Sequence, residues 1–181
     1  KINDSSQIIK NNNRESPVTI ADLKVNEIII ERINAKYKNI SWEILSEENV
    51  KQTLNLKNKK SDWLWVLDPL DGTKDFIQGT KNYAMHLALN YKDEPWLGVV
   101  LIPELNELWI SYEQEVWCER RDRSLFQINT SHKEKIEEMT LVTSQNHKNQ
   151  TLESLIDKIN FKKRICMGSV GCKISSILRG D

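Results

Sequence analysis

The sequence predicts a mixed α/β fold, α+β in its first part and α/β in its second. Three observations point there. Val25, Ile28, Ile29 and Ile33 recur at the spacing of one helix face. Four apolar or alternating runs, residues 83–91, 96–102, 107–112 and 116–119, follow one another across short turn sequences, the pattern of an antiparallel meander. Beyond residue 130 strand-like and helix-like segments alternate, as in a βαβ unit.

Each element has its own signal. Thr19 and Asp22 stand at capping-box spacing with Pro17 just upstream, so a helix is expected to start at Thr19 and to fade near Tyr37. Residues 42–45, "WEIL", form a short strand that ends in Ser46, Glu47 and Glu48. A polar connection over 49–61 leads to "WLWVL" at 63–67, a continuous apolar run that suits a buried strand. Pro69 lacks an N–H and fixes φ, so that strand is expected to stop there. A short helix follows in "KDFIQ" at 74–78, with Thr73 as its cap. After the meander, "MTLVTS", "TLESLIDKIN", "KRICM" and "CKISSILR" read as strand, helix, strand and helix. The expected division is an α+β domain over 1–130 that carries the acidic residues, then the start of an α/β domain over 131–181.

Composition narrows the function. The 181 residues are 39% hydrophobic and 29% charged with zero net charge, enough apolar content for a core and no basic excess of the kind a nucleic-acid polymer binder carries. No membrane span or signal-peptide pattern occurs, and Cys118, Cys166 and Cys172 show no paired spacing, so reduced thiols in a cytoplasmic protein are expected. Oligomeric state is left open. Residues 146–181 hold seven Lys or Arg against three Asp or Glu, a polarity that suits an anionic ligand.

The chemistry concentrates in "LDPLDGTKDF", residues 67–76. A buried strand that runs into Asp68 and Asp71 needs something to offset their charge, because an unpaired carboxylate is costly out of water. Carboxylates with the Leu70 carbonyl between them suit Mg²⁺, Mn²⁺ or Ca²⁺. Gly72 admits a close ligand, and free N–H groups at a helix start attract anions. Glu47 also follows a strand and belongs on the same edge if the two strands lie side by side. Asp22 is accounted for by capping alone, though the start of its helix can still border a metal. Of the histidines, His86 reads as structural, His132 as surface, and His147 in "TSQNH" as placed for a ligand. "GSVGCK" at 168–173 puts small residues and Lys173 at a strand-to-helix turn, but it does not meet the P-loop pattern.

These motifs together resemble the inositol monophosphatase superfamily of Mg²⁺-dependent, lithium-sensitive phosphatases. "SPVTIAD", "LSEEN", "DPLDGTKDF", "LGVVLIPELNELW", "VTSQNH" and "GSVGCKI" follow in that family's order over residues 16–181. Lys74 and Asp75 are similar to the 3′(2′),5′-bisphosphate nucleotidase branch. The resemblance implies a layered α/β/α/β/α sandwich of the inositol monophosphatase/fructose-1,6-bisphosphatase type. It implies that Glu47, Asp68 and the Leu70 carbonyl hold one Mg²⁺, and that Asp68 and Asp71 share a second. Asp22 and Thr73 would position and deprotonate water, and the N–H groups of Gly72 and Thr73 would cradle phosphate. Ser144, His147, Ser169 and Lys173 would meet a nucleotide. The implied reaction converts 3′-phosphoadenosine 5′-phosphate to AMP and phosphate, with a link to sulfur metabolism. Inositol or sugar phosphates are the alternative substrates, and a non-catalytic relative that binds nucleotide or metal is the alternative of another class. The family's W-D-x-A motif, whose acid completes the second metal site, does not occur in these residues and is expected beyond Asp181.

Overall fold

The computed structural model describes residues 8–10, 17–49, 61–126, 128, 130–146 and 149–181. Its centre is a seven-stranded sheet in the order β3-β4-β5-β6-β7-β8-β9. The strands are β3 (Glu43–Ser46), β4 (Trp63–Asp71), β5 (Ala84–Tyr91), β6 (Glu94–Ile102), β7 (Glu107–Tyr112), β8 (Glu115–Arg120) and β9 (Leu125–Phe126). From β4 onward every pairing is antiparallel, the meander expected from the alternating runs. β3 lies parallel to β4 with Ser46 opposite Leu67, so the acids that follow both strands emerge at one edge. Two short strands not foreseen from the sequence, β1 (Ile8–Lys10) and β2 (Val18–Thr19), pair antiparallel.

Helix α1 (Ile20–Lys36) starts at the capping box: Thr19 accepts from Ala21 N, and Asp22 Oδ2 accepts from Thr19 N at 2.8 Å. It packs on β4, with Ile33 buried and Ile28 left 47% exposed, so the apolar stripe is only partly covered.

β4 does not stop at Pro69. The ladder pairs Asp68 with His86 and Asp71 with Ala84, so three steps on β4 oppose two on β5. Pro69 falls in this bulge, where its missing N–H costs no ladder bond. The bulge also has a geometric effect. Residues three apart on a regular strand face opposite sides, and one extra residue turns them to the same side. The short helix α2 (Thr73–Ile77) follows, but Gly72 is its N-cap, not Thr73.

A second, parallel pair, β10 (Thr140–Ser144) and β11 (Lys163–Met167), is joined through α3 (Gln150–Ile156), the expected βαβ unit. β11 leads into α4 (Val170–Arg179), which packs against β5 and β6. Gly171 permits that approach: a Cβ there would lie 2.7 Å from Val100 Cγ1 and 2.8 Å from His86 Nε2. The core joins Ala84, Ile102, Trp109 and Cys118 of the sheet to Cys172 of α4. Buried Glu107 binds Arg179 Nη1 at 2.8 Å and accepts from Trp109 Nε1 at 3.1 Å, fastening the far end of α4 to β7. All three cysteines are free thiols, Cys166 on the surface and the other two buried. No helix among the described residues is long and apolar enough to cross a membrane.

Candidate functional site

The carboxyl ends of β3 and β4, the α2 turn and the βαβ unit meet around one cavity of about 140 Å³. Glu47, Asp68, Leu70, Asp71, Gly72, Thr73, Lys74, Asn146 and Gly168 line it. The three acids singled out in the sequence are thus brought together, with the Leu70 backbone between two of them. Asp22 reaches the group from α1. Its Oδ2 serves the capping box, while its Oδ1 accepts from Thr73 Oγ1 at 3.2 Å. Thr73 Oγ1 also lies 3.0 Å from the Leu70 carbonyl. The capping role and a role at the site are therefore compatible, because the two carboxylate oxygens divide them.

Gly72 has φ +92°, and a Cβ there would come within 2.7 Å of the Asn82 carbonyl. Both the turn and the close approach demand glycine.

The nucleotide-contact expectations fare differently. Ser169 is wholly buried: its hydroxyl donates to Asp71 Oδ2 at 2.6 Å and accepts from Cys172 N at 3.3 Å, capping α4. Lys173 Nζ is tied to the Gly168 carbonyl at 3.0 Å, and Ser144 ends β10 opposite Met167. None of these three lines the cavity. His147 lies outside the described residues.

Other residues that touch or brace the site carried little sequence signal. His86, read as structural, places Nε2 3.1 Å from Asp71 Oδ2. Lys74, Asn146 and Gly168 border the cavity. The adjacency of Asn146 to His147, at the end of a strand, was the one available clue to it.

The family model described as the inositol monophosphatase family matches residues 1–181. The chain belongs to that family. A 3′(2′),5′-bisphosphate nucleotidase CysQ of Buchnera aphidicola is 32% identical over 154 residues, 85% of this chain and 56% of the relative. The chain thus spans about half the length of the curated relatives it matches. Among solved structures, the inositol monophosphatase of Thermotoga maritima superposes with a TM-score of 0.76 at 24% identity, over 96% of this chain and 63% of that one. An inositol monophosphatase/NADP phosphatase complexed with Mg²⁺ and phosphate gives 0.74 at 19% identity, over 96% and 62%. The fold is therefore that of the inositol monophosphatase family.

Family members are metal-dependent, and the donor chemistry here fits a hard cation. Asp68 is pushed up to about 7 by burial first, then by the negative charges of Glu47 and Asp71. Asp71 goes the other way. Burial is the largest influence and would raise it, but hydrogen bonds from His86, Ser169 and Val170 N together hold it below the ordinary carboxylate range. Two neighbouring carboxylates are thus shifted in opposite directions, and the crowding of negative charge at Asp68 is of the kind a cation would offset. Among the described residues no three His, Cys, Asp or Glu side chains form a closed ligand set. Asp71 Oδ2 is instead directed at Ser169, Val170 N and Gly171 N. Carboxylate and carbonyl oxygens are the donors that Mg²⁺ and Ca²⁺ prefer.

Proposed function

We propose that the protein is a Mg²⁺-dependent phosphatase that hydrolyses the 3′-phosphate of 3′-phosphoadenosine 5′-phosphate to AMP and phosphate. The observation that carries this reading is the Asp22–Thr73 hydrogen bond standing beside a cavity lined by Glu47, Asp68 and Asp71. In this reading Glu47, Asp68 and the Leu70 carbonyl would hold one Mg²⁺, and Asp68 and Asp71 would serve a second. A bound Mg²⁺ supplies positive charge against the phosphoryl oxygens.

The chain's own groups do the rest. Asp22 Oδ1 and the Leu70 carbonyl both draw on the single proton of Thr73 Oγ1, which leaves the hydroxyl lone pairs to accept from a water molecule. The water oxygen attacks phosphorus and the ester P–O bond breaks. The water's proton passes through Thr73 to Asp22, and the departing alkoxide takes a proton from solvent. Gly72 and Thr73 N–H groups orient the phosphate.

The nucleotide substrate is supported by the bisphosphate nucleotidase relative of Buchnera aphidicola. A second reading, an inositol- or sugar-phosphate phosphatase, is favoured by the solved inositol monophosphatases that share the fold. Phosphate release from 3′-phosphoadenosine 5′-phosphate and from inositol 1-phosphate, measured side by side with Mg²⁺, decides between them. The nucleotide is expected to turn over faster, and the reverse order would overturn the choice. No magnesium-dependent release from either would sink the phosphatase reading itself.

A further inference from the structure

Asp75 lies next to the site, takes no part in the chemistry above, and is wholly buried. Its carboxylate accepts from Thr80 Oγ1 at 2.8 Å and from Asn146 Nδ2 at 2.7 Å. It also fills the space beside Gly168, where any Cβ would collide with its oxygens. Three segments therefore meet on one carboxylate: α2, the residues after β10 and the turn after β11. A buried carboxylate needs hydrogen-bonded neighbours, so the arrangement is rigid where it matters.

The chemistry of the contact fixes the orientation of Asn146. Nδ2 is the atom that donates to Asp75 Oδ2, so the amide nitrogen faces Asp75 and the amide oxygen is turned from it. Asn146 borders the cavity, and its amide oxygen is the acceptor it has left for a ligand. In the phosphatase reading the Gly72 and Thr73 N–H groups serve the phosphate. An acceptor is unsuited to a phosphate, and suits a hydroxyl or amine on the alcohol that leaves.

We propose that Asn146 is a specificity-determining residue that accepts a hydrogen bond from a hydroxyl of the leaving alcohol, and that Asp75 is the positioning residue that holds its amide one way round. This rests on the phosphatase reading above. It assigns the substrate class as phosphate esters with a free hydroxyl next to the esterified carbon, as in a ribonucleoside 3′-phosphate. A site built to hydrogen-bond a substrate hydroxyl discriminates against the analogue that lacks it.

The test compares kcat/KM for 3′-phosphoadenosine 5′-phosphate and its 2′-deoxy analogue in the wild type, Asn146→Ala and Asp75→Asn. The wild type is expected to prefer the ribonucleotide by about tenfold, the scale of one neutral hydrogen bond made to a held acceptor. Asn146→Ala should bring the ratio close to one. Asp75→Asn should narrow it as well, because a second amide no longer dictates which end of Asn146 turns away. A general folding defect slows both esters alike and leaves the ratio standing, so a ratio unchanged in Asn146→Ala overturns the assignment. A wild type without the preference overturns it too. If the wild type hydrolyses neither ester, the nucleotidase reading fails, and calorimetric binding of AMP against 2′-deoxy-AMP to wild type and Asn146→Ala then decides Asn146 alone. Loss of the ribose preference in the variant supports the role, and equal preference in both proteins overturns it.

Discussion

Ser169 Oγ donates to Asp71 Oδ2 at 2.6 Å, joining two residues 98 positions apart. Val170 N, at 2.6 Å, and Gly171 N, at 3.3 Å, reach the same oxygen, so α4 grips Asp71 by its first turn. The carboxylate in turn meets the positive end of the helix. The sheet acid and the helix thus hold each other, and the other carboxylate oxygen is left for the cavity.

Ser169→Ala removes both the donor to Asp71 and the N-cap of α4. The cap alone is worth about 1 kcal/mol, so a lower melting temperature is expected. A hydroxyl that orients a metal-ligating acid is worth about tenfold in metal affinity, so Mg²⁺ binding should weaken by roughly that factor. Calorimetric titration of Mg²⁺ into the purified variant checks this, and an affinity equal to wild type would count against the metal role of Asp71.

Asp68 provides a pH dependence. Its folded pKa, about 7, stands above the ordinary value of 3.8, so the folded state holds that proton more tightly than the unfolded state. The metal-free protein is therefore expected to lose stability from this group as pH rises from about 4 to about 7, with no further loss above. Asp68→Asn lacks this dependence. Mg²⁺ competes with the proton, so the rise in melting temperature on adding Mg²⁺ should be larger at pH 8 than at pH 5.5. Thermal melts of wild type minus Asp68→Asn across pH, with and without Mg²⁺, measure it. Without Mg²⁺, a difference that fails to fall as pH rises from about 4 to about 7 would contradict the assignment. Asp68→Asn should also remove nearly all phosphatase activity.

Much of this site was legible because its signals are local. An apolar run ending in acids, and a second strand ending in Glu47, both declare themselves within a few residues. The parallel register that sets Ser46 opposite Leu67 then brings them together. Pro69 misled for a physical reason: proline ends a regular strand, but a bulge asks no N–H of it. His86, Asn146 and the true partner of Ser169 were not legible, because each contact depends on packing across tens of residues. Asn146 and Asp75 are 71 positions apart, and no periodicity encodes that pairing. β1 and β2, with three and two residues, are too short to show a period at all.

The glycines offer a contrast within one turn region. Gly72 and Gly79 both have positive φ, +92° and +69°. A Cβ at Gly72 meets the Asn82 carbonyl at 2.7 Å, whereas one at Gly79 meets nothing within 4 Å. Gly79→Ala should cost only the backbone strain, about 1 kcal/mol. Gly72→Ala adds a clash with backbone that cannot swing away, and should cost clearly more. It should also displace the Thr73 N–H and depress activity. Urea denaturation of the two variants compares them directly, and equal midpoints would show that the Gly72 turn has room the structure denies it.

The division of labour at Asp22 gives the last prediction. Its Oδ2 serves Thr19 and the start of α1, and its Oδ1 serves Thr73. Asp22→Asn keeps one carbonyl oxygen and removes the capacity to take a proton. Stability should fall modestly, by about 1 kcal/mol for a weakened capping box. The rate should fall far more, about a hundredfold or greater, which is the scale of general-base assistance. Thr73→Ser keeps the hydroxyl that Asp22 holds, and should retain most of kcat. Thr73→Val is close in volume but has no hydroxyl, and should fall as far as Asp22→Asn. If Thr73→Val turned over substrate as fast as Thr73→Ser, the hydroxyl would carry no proton, and Asp22 would be a helix cap and nothing more.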